Sequence, residues 1–201
     1  ETDVMVEKAG EIIPQVIEVI FEKRKPDSTP FNFPNNCPAC SAQLIRVDGE
    51  AAWRCPSLEC TNQIMAKLEY FASRGCMDIE NLGESVIKQL VDKKIVSKIS
   101  DLYKLTMEHL LSLEGFAEKS ARNLLEALEI SKKQDLWRLL SGLGIKHVGS
   151  AAAKDLARNF YSLEKISSSS LEELIAIDGI GDIMAQSIFS FFNSHAVNNA
   201  P

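Results

Sequence analysis

Four short turns recur along the chain at nearly even spacing. They are Asn81-Leu82-Gly83, Gly115-Phe116-Ala117, His147-Val148-Gly149 and Gly179-Ile180-Gly181, named here hairpins 1 to 4 in chain order. Their central apolar residues lie at positions 82, 116, 148 and 180, so the separations are 34, 32 and 32 residues. Four positions after each turn comes a small or aliphatic residue: Ile87, Ala121, Ala153 and Ala185. The pattern predicts helix-hairpin-helix units, and a repeat of this period constrains the whole fold to a tandem array.

The chemistry of these turns suggests a ligand. Glycines around one buried aliphatic residue let the backbone reverse tightly and approach an outside group closely. The helix that starts at each turn has unpaired N–H groups at its N-terminus, and such groups attract anions. On DNA the anion is a backbone phosphate, which positions a protein without reading sequence. A single unit could equally be a structural αα-hairpin, but four regular copies favour tandem binding to the DNA backbone.

Charge limits how a DNA contact can be made. The 201 residues include 22 Lys+Arg against 28 Asp+Glu, a net charge of −6. A protein that binds DNA through many surface lysines carries a net positive charge, which this chain does not have. Binding must therefore use backbone amides and a few local cations, for which the candidates are Lys119, Arg122, Lys146 and Lys154.

With no long apolar run and no signal-peptide pattern at the start, we expect a cytoplasmic protein without a membrane partner.

Four of the five cysteines form two close pairs. Two residues separate Cys37 from Cys40, four separate Cys55 from Cys60, and 14 lie between the pairs. Four thiolates at this spacing predict one tetrahedral Zn²⁺, and a closed all-cysteine set predicts a structural metal. Disulfides, free thiols or an iron–sulfur cluster are the alternatives, and the clustering itself indicates a reducing compartment. Cys76 stands apart and is expected to be a small packed residue.

No residue set for catalysis is apparent, and we expect no catalytic residue in this chain. The three histidines are scattered and no phosphate-binding glycine loop is present. Arg46-Val47-Asp48-Gly49 faintly resembles the K-x-D-G of covalent nucleotidyl transfer, but arginine replaces the nucleophilic lysine. We interpret it as an Asp-Gly turn between two short strands at 43–47 and 51–54.

The fold class predicted from these features is mainly α: tandem helix-hairpin-helix repeats preceded by a small four-cysteine zinc knuckle and a β-hairpin. Short apolar runs around a turn near Gly10 predict the β-hairpin, and helical periodicity starts in residues 62–74. The predicted organisation is a β-hairpin at 1–21, a proline-bearing linker at 22–36, a zinc finger at 37–61, four helix-hairpin-helix repeats at 62–194 and a tail at 195–201.

This order of parts resembles the C-terminal half of bacterial NAD-dependent DNA ligases. The similarity covers essentially the whole chain and is carried by residues 7–16, 33–40, 71–79 and 143–149. It implies that residues 1–21 are the last strands of an oligonucleotide-binding (OB-fold) barrel. It also implies an enzyme of DNA replication and repair that moves AMP from NAD⁺ to a lysine and then to a 5′-phosphate, with Mg²⁺, before joining the 3′-hydroxyl.

The resemblance places the reactive lysine and the NAD and Mg²⁺ sites outside this chain. We therefore expect the chain alone to be inactive and, as a monomer, to clamp nicked double-stranded DNA at the bacterial nucleoid. The candidate DNA contacts are hairpin residues and nearby cations: Asn81, Gly83, Gly115, Lys119, Arg122, Lys146, His147, Gly149, Lys154, Gly179 and Gly181. A DNA-binding module of a repair nuclease or topoisomerase, and a non-catalytic helical module that binds protein, are the alternatives.

The chain departs from the family pattern at several positions. Ser41 stands where the family usually has glycine, and hairpins 1 to 3 each lack one of their two glycines. These departures predict unequal phosphate contacts among the hairpins. Asp178 and Asp182 flank hairpin 4, and because carboxylates repel phosphate we expect this copy to serve packing; alternatively, Asp182 caps the following helix.

Overall fold

The computed structural model describes residues 2–10, 13–46 and 48–193. The predicted tail, residues 195–201, lies outside these ranges, as does position 194 at the end of the predicted repeat region. The mainly helical fold is confirmed, since the described residues form ten α-helices and two small two-stranded sheets. No helix in these ranges is long and apolar enough to cross a bilayer.

The N-terminal sheet is an antiparallel pair. Strand β1 (Val4–Ala9) pairs with β2 (Ile13–Val19), and Gly10 supplies the positive φ of +64° in the connecting turn. Pro14 lies inside β2 opposite Lys8, which a sheet of two edge strands tolerates. A bulge interrupts the register further along the pair. The large apolar side chains of the sheet are exposed: Val4, Met5, Val6, Ile13, Val16 and Ile17.

The cysteine segment contains a second, very short sheet. Strand β3 (Ile45–Arg46) pairs with β4 (Trp53–Arg54), and both are shorter than the strands expected at 43–47 and 51–54. Gln43 contributes only an isolated bridge to Asn36. The strands are short because the two cysteine turns determine the backbone conformation here, and not the hydrogen bonds between paired strands. Gly49 has a φ of +84°, in keeping with the Asp-Gly turn expected there.

The helical region repeats one unit four times. Hairpins 1 to 4 lead into α2, α5, α7 and α10, the long second helix of each unit. The helices are α1 (Thr61–Ala72), α2 (Glu84–Asp92), α3 (Ile99–Leu102), α4 (Met107–Leu111), α5 (Glu118–Ser131), α6 (Leu136–Gly142), α7 (Ser150–Phe160), α8 (Leu163–Ser168), α9 (Leu171–Ile175) and α10 (Asp182–Asn193).

The repeat period reflects burial. The small or aliphatic residue that follows each turn is completely buried in all four units: Ile87, Ala121, Ala153 and Ala185. In the three units with alanine, the short side chain at this first-turn position lets the second helix approach its neighbours closely, whereas Ile87 fills the same position in the first unit. The buried residues form two clusters, one spanning residues 68–128 and the other residues 140–188.

Helices α1 and α6 join the two clusters. Gly142 at the end of α6 lies against the buried ring of Phe71, and a Cβ added to it would approach ring atom Cδ2 to 2.9 Å. Arg138 of α6 donates a hydrogen bond of 2.8 Å to the carbonyl oxygen of Arg74 and lies 3.9 Å from a carboxylate oxygen of Asp78. The helix that follows the cysteine segment is thereby fixed against the third repeat.

Candidate metal centre and nucleic-acid interface

The structure brings the four predicted sulfur atoms together. Cys37, Cys40, Cys55 and Cys60 have their Sγ atoms all within 4.8 Å of one another. The Cys37–Cys60 and Cys40–Cys55 sulfur distances are 3.9 and 3.4 Å. A tetrahedral zinc site with Zn–S bonds of about 2.3 Å needs sulfurs about 3.8 Å apart, so this set fits Zn²⁺ after small shifts of the thiols. Cys76 is buried elsewhere and is not part of the cluster.

The first cysteine turn is fixed by its backbone. The amide of Cys37 donates to the carbonyl oxygen of Ala42, and the amide of Ser41 donates back to the carbonyl oxygen of Cys37, both at 2.8 Å. This reversal requires Ser41 to adopt a φ of 61°. Asn36 adds a hydrogen bond of 2.9 Å from Nδ2 to the Ser41 carbonyl oxygen. The left-handed conformation at position 41 explains why a related sequence would carry glycine there.

The second cysteine pair connects the metal centre to the helical region. Cys60 is the N-cap of α1 and is 1% exposed. A thiolate at this position is stabilised by the N-terminal end of the helix dipole. Gln63 of α1 donates from Nε2 to the carbonyl oxygen of Cys55 at 2.7 Å, which ties the preceding turn to the same helix. The metal centre therefore fixes the first turn of α1.

The thiol pKa values show that the cluster favours a cation. Hydrogen bonds from the backbone amides of Ala39 and Cys40 lower the pKa of Cys37 to about 7. At Cys55 a Ser57 backbone hydrogen bond lowers the pKa, but burial and the neighbouring thiols outweigh it and raise the value to about 12. Ionisation of Cys55 is therefore disfavoured beside its neighbours, and a bound divalent cation would compensate for the thiolate charge. This is the donor set of a closed structural zinc site.

Replacing Ser41 with glycine is expected to tighten the metal site. The change relieves a left-handed backbone cost of about 1 kcal/mol and leaves the backbone carbonyl contact of Asn36 intact. The zinc dissociation constant, measured by chelator competition, should fall about threefold to fivefold. Ser57→Gly, in the other cysteine turn and not at positive φ, is the matched control and should bring no gain. Weaker zinc binding by Ser41→Gly would contradict this account.

The four hairpins share one backbone geometry. The first residue of each turn has positive φ, at 67° for Asn81, 79° for Gly115, 68° for His147 and 84° for Gly179. The central residue points inward, and the third residue is an extended N-cap in hairpins 1 to 3. Asn81 and His147 thus adopt the same left-handed conformation as the glycines of the other two hairpins. Asn and His enter this region more readily than most non-glycine residues. The missing glycines leave the shape of the turn unchanged.

The hairpins differ in how open their amides are. In hairpin 3 the N–H groups of Gly149, Ser150 and Ala151 have no acceptor among the residues that the structure describes. The corresponding amides of hairpins 1 and 4 are equally open within those ranges. In hairpin 2 the amide of Ala117 instead donates to Ser120 Oγ at 2.9 Å. Hairpin 2 therefore keeps one fewer donor for an external anion.

The charge around hairpin 4 is negative. The exposed residues Asp178 and Asp182 flank the turn. A Cβ added to Gly179 would lie 3.8 Å from Oδ2 of Asp155, whereas none at Gly83, Gly115 or Gly149 would meet an atom within 4 Å. Hairpin 4 therefore has three carboxylates near its turn, although Arg158 pairs with Asp155 at 3.3 Å and a Cβ added to Gly181 would meet no atom within 4 Å. Asp182 is the first residue of α10, one position after the turn glycine, so it lies in the first turn of the helix.

The four predicted cations are all exposed, but they differ in their partners. Lys119 and Arg122, in the first turns of α5, form no ion pair within the described ranges. Lys146 Nζ lies 3.7 Å from Glu50 Oε1 in the cysteine segment, and Lys154 Nζ lies 4.6 Å from the centre of the Trp137 ring. No local pattern in the sequence indicates either contact, because both join residues that are distant in the chain or on different helices.

The four sulfur atoms form a closed centre at the start of α1, and four tandem helix-hairpin-helix repeats follow. The chain is therefore a zinc finger joined to a helix-hairpin-helix segment. Residues 36–61 match the NAD-dependent DNA ligase C4 zinc finger domain, and residues 138–200 match the helix-hairpin-helix motif. These matches confirm the resemblance to the C-terminal part of NAD-dependent DNA ligases.

Bacterial relatives cover almost all of the chain. It is 46% identical over 191 residues to a DNA ligase of Lysinibacillus sphaericus, covering 95% of this chain and 29% of that protein. It is 48% identical over 189 residues to one from Clostridioides difficile, covering 94% and 28%. The match to a Bacillus subtilis DNA ligase is 46% over 190 residues, with the same coverage of 94% and 28%. The chain thus spans less than a third of the length of these relatives.

Proposed function

We propose that this chain is the segment of an NAD-dependent DNA ligase that holds duplex DNA through its phosphate backbone. The observation that carries the proposal is the shared geometry of the hairpins, each of which begins a helix after a residue of positive φ, and at Gly83, Gly115 and Gly149 an added Cβ would meet no atom within 4 Å. Backbone amides at such positions bind phosphate without regard to base sequence. Sequence-independent binding suits an enzyme that must act at nicks anywhere.

The four hairpins would contribute unequally. Hairpins 1 and 3 combine open amides with open space, and hairpin 3 adds Lys146 and Lys154 nearby. Hairpin 2 would compensate for its occupied amide with Lys119 and Arg122. Hairpin 4 would serve packing, because three carboxylates surround its turn. The zinc finger would act as a rigid joint between the N-terminal sheet, proposed to be the end of an OB-fold barrel, and the repeats.

The nick-sealing chemistry would be supplied outside this chain. The segment with Arg46, Asp48 and Gly49 carries arginine at the position of the nucleophilic lysine, and its side chain is already engaged by the Glu50 carbonyl oxygen. NAD, Mg²⁺ and the adenylated lysine would therefore belong to other parts of a full-length ligase. Labelling of this chain by NAD⁺, or nick sealing by it alone, would contradict this part of the proposal.

DNA binding across a salt series tests the proposal. The chain should bind nicked and intact duplexes of unrelated sequence, with the logarithm of affinity falling against that of salt with a slope no steeper than about −3.6, the value for four cations. Gly149→Asp should weaken binding at least about tenfold, because it places a carboxylate beside the open amides. Aspartate is a favoured N-cap and meets no atom there, so the variant should remain folded.

Gly75→Asp is the matched control. Gly75 is an exposed glycine outside the hairpins, an added Cβ meets nothing within 4 Å, and the charge change is identical. This variant should bind DNA nearly as the parent chain does. Equal affinity of Gly149→Asp and Gly75→Asp would remove hairpin 3 from the interface. Absence of any DNA binding at low salt, with zinc bound and the fold intact, would overturn the proposed function and favour a protein-binding module.

A further inference from the structure

An open cleft lies between α6 and α7, beyond the turn of hairpin 3. Its volume is about 460 Å³, and its wall includes Trp137 on α6 and Lys154, Arg158 and Tyr161 on or just after α7. No sequence motif pointed to this cleft, because its two aromatic residues lie far apart in the chain. It is a second surface feature of the third repeat, separate from the open amides of the turn.

Cations and one carboxylate, Asp135, lie around the Trp137 ring in the cleft. Lys154 Nζ lies 4.6 Å from the centre of the Trp137 ring, and the Arg138 guanidinium carbon lies 5.2 Å from it. The indole Nε1 of Trp137 donates to Asp135 Oδ2 at 3.2 Å, which fixes the ring. Arg158 pairs with Asp155 at 3.3 Å but is 74% exposed, so its guanidinium remains accessible from the cleft. Lys154 and Arg158 are thus the two cations that line the cleft.

Tyr161 forms the rim in a conformation that its residue type disfavours. It is the C-cap of α7, with a φ of 62°, and its side chain is 77% exposed. Glycine is the usual residue at a left-handed helix end, and a bulky residue there is strained. Among the described residues the Tyr161 ring contacts no other aromatic ring or cation. An exposed ring in a strained backbone conformation, without an aromatic or cationic partner among the described residues, points to a role in binding.

The cleft continues the proposed phosphate site of hairpin 3. Ser150, Lys154, Arg158 and Tyr161 recur every three or four residues and therefore line one face of α7. This face begins at the open amides and rises about 1.5 Å per residue, so the cations follow the amides at steps of about 6 Å. The Tyr161 ring ends the row. Cations followed by an exposed aromatic ring are the arrangement by which proteins hold single-stranded nucleic acid.

We infer that this cleft binds an unpaired nucleotide of single-stranded DNA that leaves the duplex next to hairpin 3. The Tyr161 ring would stack on the base, and Lys154 and Arg158 would hold the adjoining phosphates. A base in a duplex has its faces covered by neighbouring bases, so stacking selects an unpaired one. The inference rests on the proposed function, because it extends the same DNA path.

Tyr161→Gly separates binding from folding. Glycine relieves the left-handed strain while removing the ring, so the melting temperature should stay unchanged or rise by about 2 °C. The affinity of the 201-residue chain for a labelled oligo(dT) strand, and for a nicked duplex with an oligo(dT) flap, should fall about fivefold to tenfold. Affinity for a nicked duplex without a flap should be unchanged. Tyr161→Phe should retain binding to the single strand.

Ser41→Gly is the matched control, since it relieves the same strain in the distant cysteine segment; its affinity for oligo(dT) should equal that of the parent. As a second readout, a Trp53→Phe chain leaves Trp137 as the only tryptophan, and oligo(dT) should change its fluorescence. An unchanged affinity of Tyr161→Gly for oligo(dT), or equal binding of oligo(dT) and polyglutamate, would overturn the inference. Flap-free duplex binding would meanwhile report on the proposed function alone.

Discussion

Replacing Cys60 with alanine is expected to abolish stoichiometric zinc binding and unfold the segment from residue 36 to residue 60. Cys60 is almost fully buried and is both a proposed metal ligand and the N-cap of α1. The segment has only two strands of two residues each, so few backbone contacts would hold it without metal. Zinc binding stabilises small fingers by roughly 10 kcal/mol or more at neutral pH, which makes this the largest effect expected from one substitution.

The helical region should survive the loss of zinc. The first buried cluster begins at Leu68, beyond the cysteine segment, and the second lies between residues 140 and 188. Far-ultraviolet circular dichroism should therefore change little, while zinc content falls to zero and Trp53 fluorescence shifts toward that of a solvated indole. Cys76→Ala is the control: this buried cysteine lies outside the cluster, so zinc should stay at one per chain. Full zinc occupancy in Cys60→Ala, or collapse of the helices with it, would contradict this account.

The order of the zinc finger and the repeats was predictable because each has a local signature. Ligand spacing is fixed by the geometry of two cysteine turns, and the repeat period is fixed by the turn and the buried residue that follows it. Strand lengths in the finger were overestimated, since alternation of apolar residues predicts a strand even where the cysteine turns end the pairing. The departures from glycine at Asn81 and His147 predict unequal phosphate contacts among the hairpins, yet the backbone there matches the glycine-bearing copies.

Contacts between residues that are distant in the chain could not be predicted from local sequence patterns. The ion pair between Lys146 and Glu50 and the stacking of Lys154 on Trp137 depend on how separate elements pack. Position 142 shows the same limit. In the sequence Gly142 belongs to a short glycine-containing stretch within the helical repeats, and in the structure it ends α6 and faces a buried ring of α1. The role of Gly142 depends on its contact with Phe71, which lies far from it in the chain.

Gly142→Val is expected to destabilise the chain by about 3 kcal/mol, the second large effect of a single change. Even the Cβ of the new residue would lie 2.9 Å from Phe71 Cδ2 and 3.4 Å from Cys76 Cβ. Phe71 has no exposed surface and cannot move away without displacing the residues packed around it. The melting temperature should fall by roughly 6 to 12 °C for a chain of this size.

Gly75→Val serves as the control for the substitution itself, because a Cβ there meets no atom within 4 Å. Phe71→Leu tests the contact directly: if the clash causes the loss, the double variant should be more stable than the sum of the two single changes predicts. The contact also sets the relation between α1, which starts at the metal centre, and the third repeat. Gly142→Val should therefore weaken DNA binding while zinc content stays at one per chain. Equal melting temperatures for Gly142→Val and Gly75→Val would show that α1 and α6 are not closely packed in solution.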